Sequence, residues 1–338
     1  MVFDRRIEGN KRPPPIGGGN PTRGRGQCLR GRGPARQPGP PTTGPQAKDG
    51  QCNPGGGPGR LAVVSLGPGF PSDITPRAFQ ALEEARVVVG YKFYIDLLKP
   101  ILKDQEVVAT GMRGEVERGN LAIARAMAGQ QVAIVSGGDA GIYGMAGLVL
   151  EICQARNLRP GPPGAGPEAD FELEIIPGVP ALAAGAALLG APLMHDFAAI
   201  SLSDLLTPWK TIQRRLESAA QGDFVIVLYN PRSQKRHWQL SRGRELLLKS
   251  RSPQTPVGIV RRARRQGQEM VITTLGNLLD HPIDMQTIII VGNSTTYVFG
   301  PYMITPRGYE AKYDVAAGMK PGTVIDMPGL SPPGKRPK

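Results

Sequence analysis

Histidine and cysteine are scarce, at three residues each in a chain of 338. Cys28, Cys52 and Cys153 show no metal-ligand spacing, and His195, His237 and His281 are scattered, so neither a recognisable metal site nor a disulfide framework is expected. Unpaired cysteines at this low frequency fit a reducing, cytoplasmic compartment. Aromatic residues make up only 5% of the chain, which leaves little for base stacking in its arginine-rich N-terminal stretch. No apolar run reaches membrane-spanning length. The nearest, ALAAGAALLGAPLM at 181–194, is rich in small residues and broken by glycines, so a soluble protein with no membrane partner is expected.

Acidic residues are also the minority, 28 against 41 Lys and Arg, for a net charge of +13. The excess is local. Residues 1–60 hold eleven basic and three acidic side chains, so they supply +8 and leave about +5 for the rest. Gly, Pro, Arg and Gln dominate this stretch (RGRG, GPARQPGPP, GGGPGR), which predicts a disordered tail unable to bury enough surface to offset ordering entropy. It has no continuous apolar core like that of a secretory signal, and its Gly and Pro density argues against the amphipathic helix of a transit peptide. The tail reads as an upstream extension with no function of its own, and weak RNA binding through phosphates is the alternative its arginines offer.

The pattern changes after residue 60. LAVVSL (61–66), RVVVG (86–90), EVVAT (106–110), QVAIV (131–135) and FELEIIPG (171–178) read as strands. Between them lie helical patterns at 75–85, 91–98, 115–128 and 143–155, the first opened by Thr75 as cap and Pro76 as first helical residue. The Gly/Pro-rich RPGPPGAGPEAD (159–170) reads as a surface insertion. Alternation of this kind builds an open α/β sheet, and strands that are apolar runs fit burial on both faces. A further helix spans 180–190. The second half then offers strands FAAISLS (197–203), DFVIVLYN (223–230), TPVGIV (255–260), EMVITTL (269–275) and QTIIIVGN (286–293), with helices near 208–219 and 234–249. Its last three strands lack intervening helices, so that sheet is expected to be partly antiparallel. The expectation is two α/β domains, 61–195 with a mostly parallel sheet and 196–312 with a mixed one, an active-site cleft between them, and a C-terminal tail over 313–338.

Two glycine loops, LGPG (66–69) and SGGDAGIYG (136–144), lie at carboxyl ends of predicted strands, where open α/β sheets bind ligands. Neither is a dinucleotide fingerprint or a P-loop, and Pro68 removes an amide donor that a pyrophosphate would use. The glycines therefore point to a ligand that needs shape and backbone carbonyls. Asp139 reads equally as a helix cap or as a residue that fixes the loop around a ligand, and Tyr143 as packing.

LGPG, SGGDAGIYGM and IPGVPALAAGAALLGAPL together resemble the tetrapyrrole methylases, S-adenosylmethionine-dependent enzymes of corrin and siroheme synthesis. TPRAFQALEEARVVVGYKFYIDLL, APLMHDFAAISLSDLLTPW, LYNPRSQKRHWQL, TTLGNL and MITPRGY are similar to the branch that methylates carbon 17 of precorrin-3B. The resemblance spans residues 61 to about 309. It implies methyl transfer from S-adenosylmethionine to a tetrapyrrole with ring contraction, in a homodimer; the alternatives are another corrin-pathway C-methyltransferase, a methylase of the same fold acting on RNA or protein, and an RNA-binding protein using its arginine-rich tail. It also implies cofactor contacts from Gly67, Pro68, Gly69, Gly137, Gly138, Asp139, Ala140, Ile142, Pro180, Ala181, Tyr229, Asn230 and Ala263. The family usually has glycine where this chain has Ser65, proline at Ala140, and asparagine at Arg262.

A polycarboxylate substrate calls for cations around a broad trough. Lys92, Arg113, Arg232, Lys235, Arg236, Arg261 and Arg307 are candidates, with Arg113 and Arg232 beside the proposed cleft loops. Methyl transfer itself needs positioning more than acid–base chemistry. Ring contraction needs proton movement, for which His195, Asp196, Ser203 and Asp204 are candidates, with Ser201 a further option.

Overall fold

The computed structural model describes residues 59–315 and 318–319. The tail expected over 1–60 lies outside the described residues except for Gly59 and Arg60, and so does most of the tail expected over 313–338. At its start, Tyr313–Asp314 pairs with Gly318–Met319, a short hairpin that composition did not signal.

The first sheet contains β1 (Arg60–Ser65), β2 (Val87–Tyr91), β3 (Glu106–Thr110), β4 (Gln131–Ser136), β5 (Pro160–Gly161) and β6 (Phe171–Ile176), in the order β3-β2-β4-β1-β6-β5. Every pairing in it is parallel. The connections are α1 (Pro76–Glu84), α2 (Lys92–Leu98), α3 (Glu115–Met127) and α4 (Met145–Ala155). Alternate side chains of β1 separate the layers. Leu61 and Val63 pack with Ile123 of α3 and Val149 of α4, while Ala62 and Val64 pack with Leu82 of α1 and Leu98 of α2. Each such fully buried Leu, Ile or Phe side chain contributes about 1.5–3 kcal/mol relative to exposure. Thr75 caps α1 as its spacing predicts, its hydroxyl accepting the Ala78 amide at 3.2 Å, with Pro76 at the first helical position. The outer strands depart from burial on both sides, Ile175 of β6 being exposed as well. β3 is the sheet's edge, and Glu106, Val107 and Ala109 are exposed.

The second sheet contains β8 (Phe197–Ser201), β9 (Val225–Tyr229), β10 (Pro256–Arg261), β11 (Glu269–Thr274) and β12 (Thr287–Val291), ordered β11-β10-β12-β9-β8. β8 and β9 are parallel, and the β10–β11, β10–β12 and β12–β9 pairs are antiparallel, as the missing crossover helices require. β10 therefore points the same way as β9. α6 (Trp209–Gln221) and α7 (Trp238–Leu247) cover one face, and α5 (Ala181–Leu189) covers the other. α5 is pressed close: a Cβ on Gly185 would lie 2.7 Å from Ile288, and one on Gly258 would lie 2.3 Å from Leu189. This helix thus sides with the second sheet, although the sequence pattern groups it with residues 61–195. The change from one sheet to the other falls between Ile176 and Ala181 because the apolar face of α5 fits Val227, Val260 and Ile290. β7 (Gly190–Ala191), β13 (Tyr297–Phe299) and β14 (Tyr302–Ile304) form a small third sheet that was not expected.

Candidate active site

The carboxyl ends of β1 and β4 are level, Ser65 opposite Ser136, so the two glycine loops leave the sheet side by side. They are joined by a two-way bridge. The Gly67 amide donates to the Gly138 carbonyl at 3.0 Å, and the Gly138 amide donates to the Gly67 carbonyl at 2.8 Å. Both glycines have positive φ, 67° and 68°, a region where a side chain would be strained. Beneath the bridge the buried Ser65 hydroxyl accepts the Ala140 amide at 2.8 Å. Gly137 lies so close to Tyr94 that a Cβ would fall 2.4 Å from its ring.

Asp139 is not a helix cap. α4 begins six residues later with Gly144 at its N-cap position. The Asp139 carboxylate instead accepts the Gly141 amide at 2.8 Å and the Gly178 amide at 3.0 Å, tying the second glycine loop to the segment that leads into α5. Gly138 reaches the same place, since a Cβ there would lie 3.7 Å from the Ala181 nitrogen and 3.8 Å from the Pro180 Cα. From the other sheet, the Tyr229 hydroxyl accepts the Leu182 amide at 3.1 Å, and burial pushes its pKa up to about 12. Ala181, Tyr229 and Ala263 border one apolar cluster. Tyr143 is more than packing. At φ 54° it sets its ring 5.1 Å from Tyr229 and donates its hydroxyl to the Ala199 carbonyl at 3.0 Å.

The structure therefore links Gly67, Gly138, Asp139, Ala140, Pro180 and Ala181, with Tyr229 and Ala263 on the apolar cluster that Ala181 borders. Gly137 packs on Tyr94, Pro68 and Gly69 meet Arg265 of the second sheet, and the Ile142 amide donates to the Asp139 carbonyl at 3.2 Å. Asn230, at φ 51°, adjoins Tyr229 and donates its amide to Ser201 Oγ at 3.0 Å. A crevice among these loops is walled by Leu66, Ile74, Tyr94, Leu97 and Leu98, with Gly67, Gly69 and Gly137 exposing backbone. Arg265 of the second sheet also lines this crevice, which as it stands has room for little more than a water molecule.

A second cluster forms after β8 and β9. Arg236 donates to Ser203 Oγ at 3.1 Å and to the Asn230 carbonyl at 2.8 Å, while its buried Nε has no hydrogen-bond partner. Burial lowers the Arg236 pKa and nearby Asp204 offsets this in part. Asp204 accepts Gln239 Nε2 at 3.0 Å, and the buried Gln239 Oε1 is likewise without a partner. Arg232 is exposed in the same loop, and Arg113 is exposed at φ 70° in the loop after β3. Arg261 is paired with Glu269 at 2.6 Å. Arg262 lies with Nη1 against Gly267 of its own turn.

The four proton-handling candidates do not form one group. His195 and Asp196 precede β8, and Ser203 and Asp204 follow it, so a strand of roughly 13 Å at about 3.3 Å per residue separates the pairs. His195 and Asp196 are exposed, and His195 Nδ1 accepts the Asp196 amide at 2.9 Å. Tyr94 and Arg265, which line the crevice together, were not anticipated, nor was the buried Arg118 of α3, which donates to Thr110 Oγ1 at 2.6 Å and to the Gly111 carbonyl at 3.0 Å. The run VRRARR signals charge, but only the turn decides which arginine points inward.

The model of the family Tetrapyrrole (Corrin/Porphyrin) Methylases matches residues 60–279. The chain belongs to this family. Tetrapyrrole methylases use S-adenosylmethionine, which is the methyl donor here. Among relatives, the Probable cobalt-factor III C(17)-methyltransferase of Salmonella typhimurium is 51% identical over 249 residues, covering 74% of this chain and 99% of that one. The Cobalt-factor III methyltransferase of Priestia megaterium is 48% identical over 255 residues, 75% of this chain; the match spans only 46% of that longer protein. The crystal structure of the methyltransferase CobJ superposes with a TM-score of 0.67 at 36% identity, over 73% of this chain and all of that one. The sheets and glycine loops described above are thus those of a methylase fold.

Proposed function

We propose that this chain methylates carbon 17 of a precorrin-3B-type tetrapyrrole in cobalamin biosynthesis, with contraction of the macrocycle to give the precorrin-4 skeleton. The relatives named for cobalt-factor III, at 48% and 51% identity, favour the cobalt-bearing ring as substrate. The observation that carries the reading is the 3.1 Å contact between Arg236 and Ser203. It joins NPRSQKR and SLSDLL, the two segments similar to the carbon-17 branch, beside the glycine loops.

S-adenosylmethionine supplies an electrophilic methyl on sulfonium: an electron pair of the ring carbon forms the new C–C bond as the C–S bond breaks, and S-adenosylhomocysteine leaves. The protein's task is alignment, worth up to about 7–11 kcal/mol of barrier in well-oriented systems. Gly67, Gly138 and Asp139 shape the cofactor loops, and Pro180, Ala181, Tyr229 and Ala263 form the opposite wall. Arg236, Arg232 and Arg113 receive substrate carboxylates. Ser203 and Asp204 are the better placed proton-handling pair, being on the glycine-loop side of β8. The enzyme acts as a cytoplasmic homodimer in this reading. Exposed Tyr297, Val298, Phe299 and Tyr302 on the small third sheet support self-association, and no helix among the described residues is long and apolar enough to cross a membrane.

The test is incubation with cobalt-precorrin-3 or precorrin-3B and methyl-labelled S-adenosylmethionine, reading product mass and absorption. One label per macrocycle, at carbon 17, is expected. An unlabelled macrocycle overturns the assignment.

A further inference from the structure

The turn joining β10 to β11 carries Arg261, Arg262, Arg264 and Arg265 within five residues. Four like charges so close repel one another, and in an idle surface turn all would point to water. They do not. Arg264 reaches across to the first sheet and holds Asp73 through two bonds, 2.9 and 3.1 Å, with its guanidinium 5.5 Å from the Phe70 ring centre. Arg265 enters the crevice, where its Nε donates to the Pro68 carbonyl and its guanidinium lies 5.3 Å from the Phe93 ring centre.

The backbone is shaped for this. Arg262 and Arg264 adopt positive φ, 52° and 56°, with Gly267 at 75°. The turn is closed by the Arg265 amide on the Arg262 carbonyl at 3.0 Å and by the Arg264 amide on Gln268 Oε1 at 2.8 Å. On the receiving side, Gly69 leaves the space that Arg265 fills: a Cβ there would lie 2.3 Å from Arg265 Cγ. Pro68, Gly69, Phe70 and Asp73 all belong to the segment directly after β1, whose Gly67 is paired with Gly138.

We propose that Arg264 and Arg265 form a clasp that positions the first glycine loop for the methyl donor, with Arg265 acting through the Pro68 carbonyl. The clasp rests on the reading of the glycine loops as the cofactor site. It makes Arg265 a positioning residue. Cofactor affinity then depends on a turn of the second sheet whose Arg265 reaches into the crevice beside the loop.

The test uses the full-length protein and S-adenosylhomocysteine as probe, by isothermal titration calorimetry. Arg265→Ala raises Kd at least tenfold. Arg265→Lys keeps the charge but loses the planar Nε donor and recovers only part of the affinity. Asp73→Asn, which alters one atom, raises Kd about threefold through Arg264. In turnover, the cofactor KM of Arg265→Ala rises by the same factor as Kd while the tetrapyrrole KM moves less than twofold. Unaltered protein that binds the probe, with Arg265→Ala and Asp73→Asn both within twofold of it, overturns the clasp and leaves the cofactor site standing. A rise confined to the tetrapyrrole KM also overturns it, making Arg265 a substrate group. Failure of the unaltered protein to bind the probe overturns the cofactor site and the clasp together.

Discussion

The Ser65 hydroxyl and the Ala140 amide, 75 residues apart in sequence, meet at 2.8 Å under the bridged glycine loops, and both residues are almost fully buried. Glycine and proline at these two positions would remove acceptor and donor together. Ser65 and Ala140 therefore form one coupled pair. Ser65→Gly leaves a buried amide without a partner and is expected to lower unfolding stability by about 1–3 kcal/mol. Adding Ala140→Pro removes the orphaned donor, so the double variant should cost less than the sum of the singles by at least about 0.5 kcal/mol in a denaturant double-mutant cycle. Additive losses would show that the bond couples nothing.

Asp139 joins two loops with one carboxylate, through the Gly141 and Gly178 amides. Asp139→Ala frees both amides and is expected to raise the Kd for S-adenosylhomocysteine about tenfold to a hundredfold, given about 1.5–3 kcal/mol for a charged hydrogen bond. Asp139→Asn keeps one carbonyl acceptor and should fall between. Fluorescence or calorimetric titration checks the order.

Arg236 is held by Ser203 and Asn230 and keeps one buried nitrogen unpartnered. With the guanidinium as a receiver of substrate carboxylates, Arg236→Lys raises the tetrapyrrole KM about tenfold to a hundredfold, because lysine lacks the planar fork. Cofactor Kd should stay within about twofold. Steady-state kinetics with each substrate varied in turn separates the two.

His195 and Asp196 sit at the far end of β8 from Ser203 and Asp204. Asp204→Asn is expected to slow ring contraction and leave methyl transfer, accumulating a methylated ring of uncontracted spectrum, whereas His195→Ala should lower neither rate by more than about twofold. Stopped-flow absorption with mass analysis of the quenched product distinguishes them.

Glu174 on β6 accepts from Arg77 at 2.8 and 2.6 Å and also pairs with Arg60. Hydrogen bonding to Arg77 first, and to Arg60 after it, holds its carboxyl below the usual glutamate value. A carboxyl lowered in the folded state adds stability above its unfolded pKa, about 4.3, and loses it as pH falls through the folded value. Glu174→Gln should therefore lower the thermal midpoint at pH 7 and shrink the gap from the unaltered protein below about pH 4. An equal gap at pH 7 and pH 3 would refute this.

Local rules made much of the fold legible. Apolar runs of five or six residues marked β1, β2, β4, β9, β10 and β12, because strands buried on both faces leave no polar positions to blur them. Thr75 and Pro76 marked the start of α1 through a bond three residues long. Strands of two or three residues, such as β7 and β13, carry too little pattern to see, and the exposed face of β3 follows from its place at the edge, which no pattern within the strand encodes.

The candidate site divides in the same way. The sequence alone determined that two glycine loops end parallel strands and, through its resemblance to the tetrapyrrole methylases, which family the chain belongs to, since strand–loop–helix order is a property of neighbouring residues. Only the tertiary structure decided what meets: Ser65 with Ala140, Asp139 with Gly178, Tyr143 with Tyr229, and Arg265 with Pro68. It also parted His195 from Ser203 by the length of one strand, and moved α5 onto the second sheet. These outcomes depend on the order of strands and on the packing of separate layers, and a contact across 75 or 197 residues leaves no trace in the local pattern of either partner.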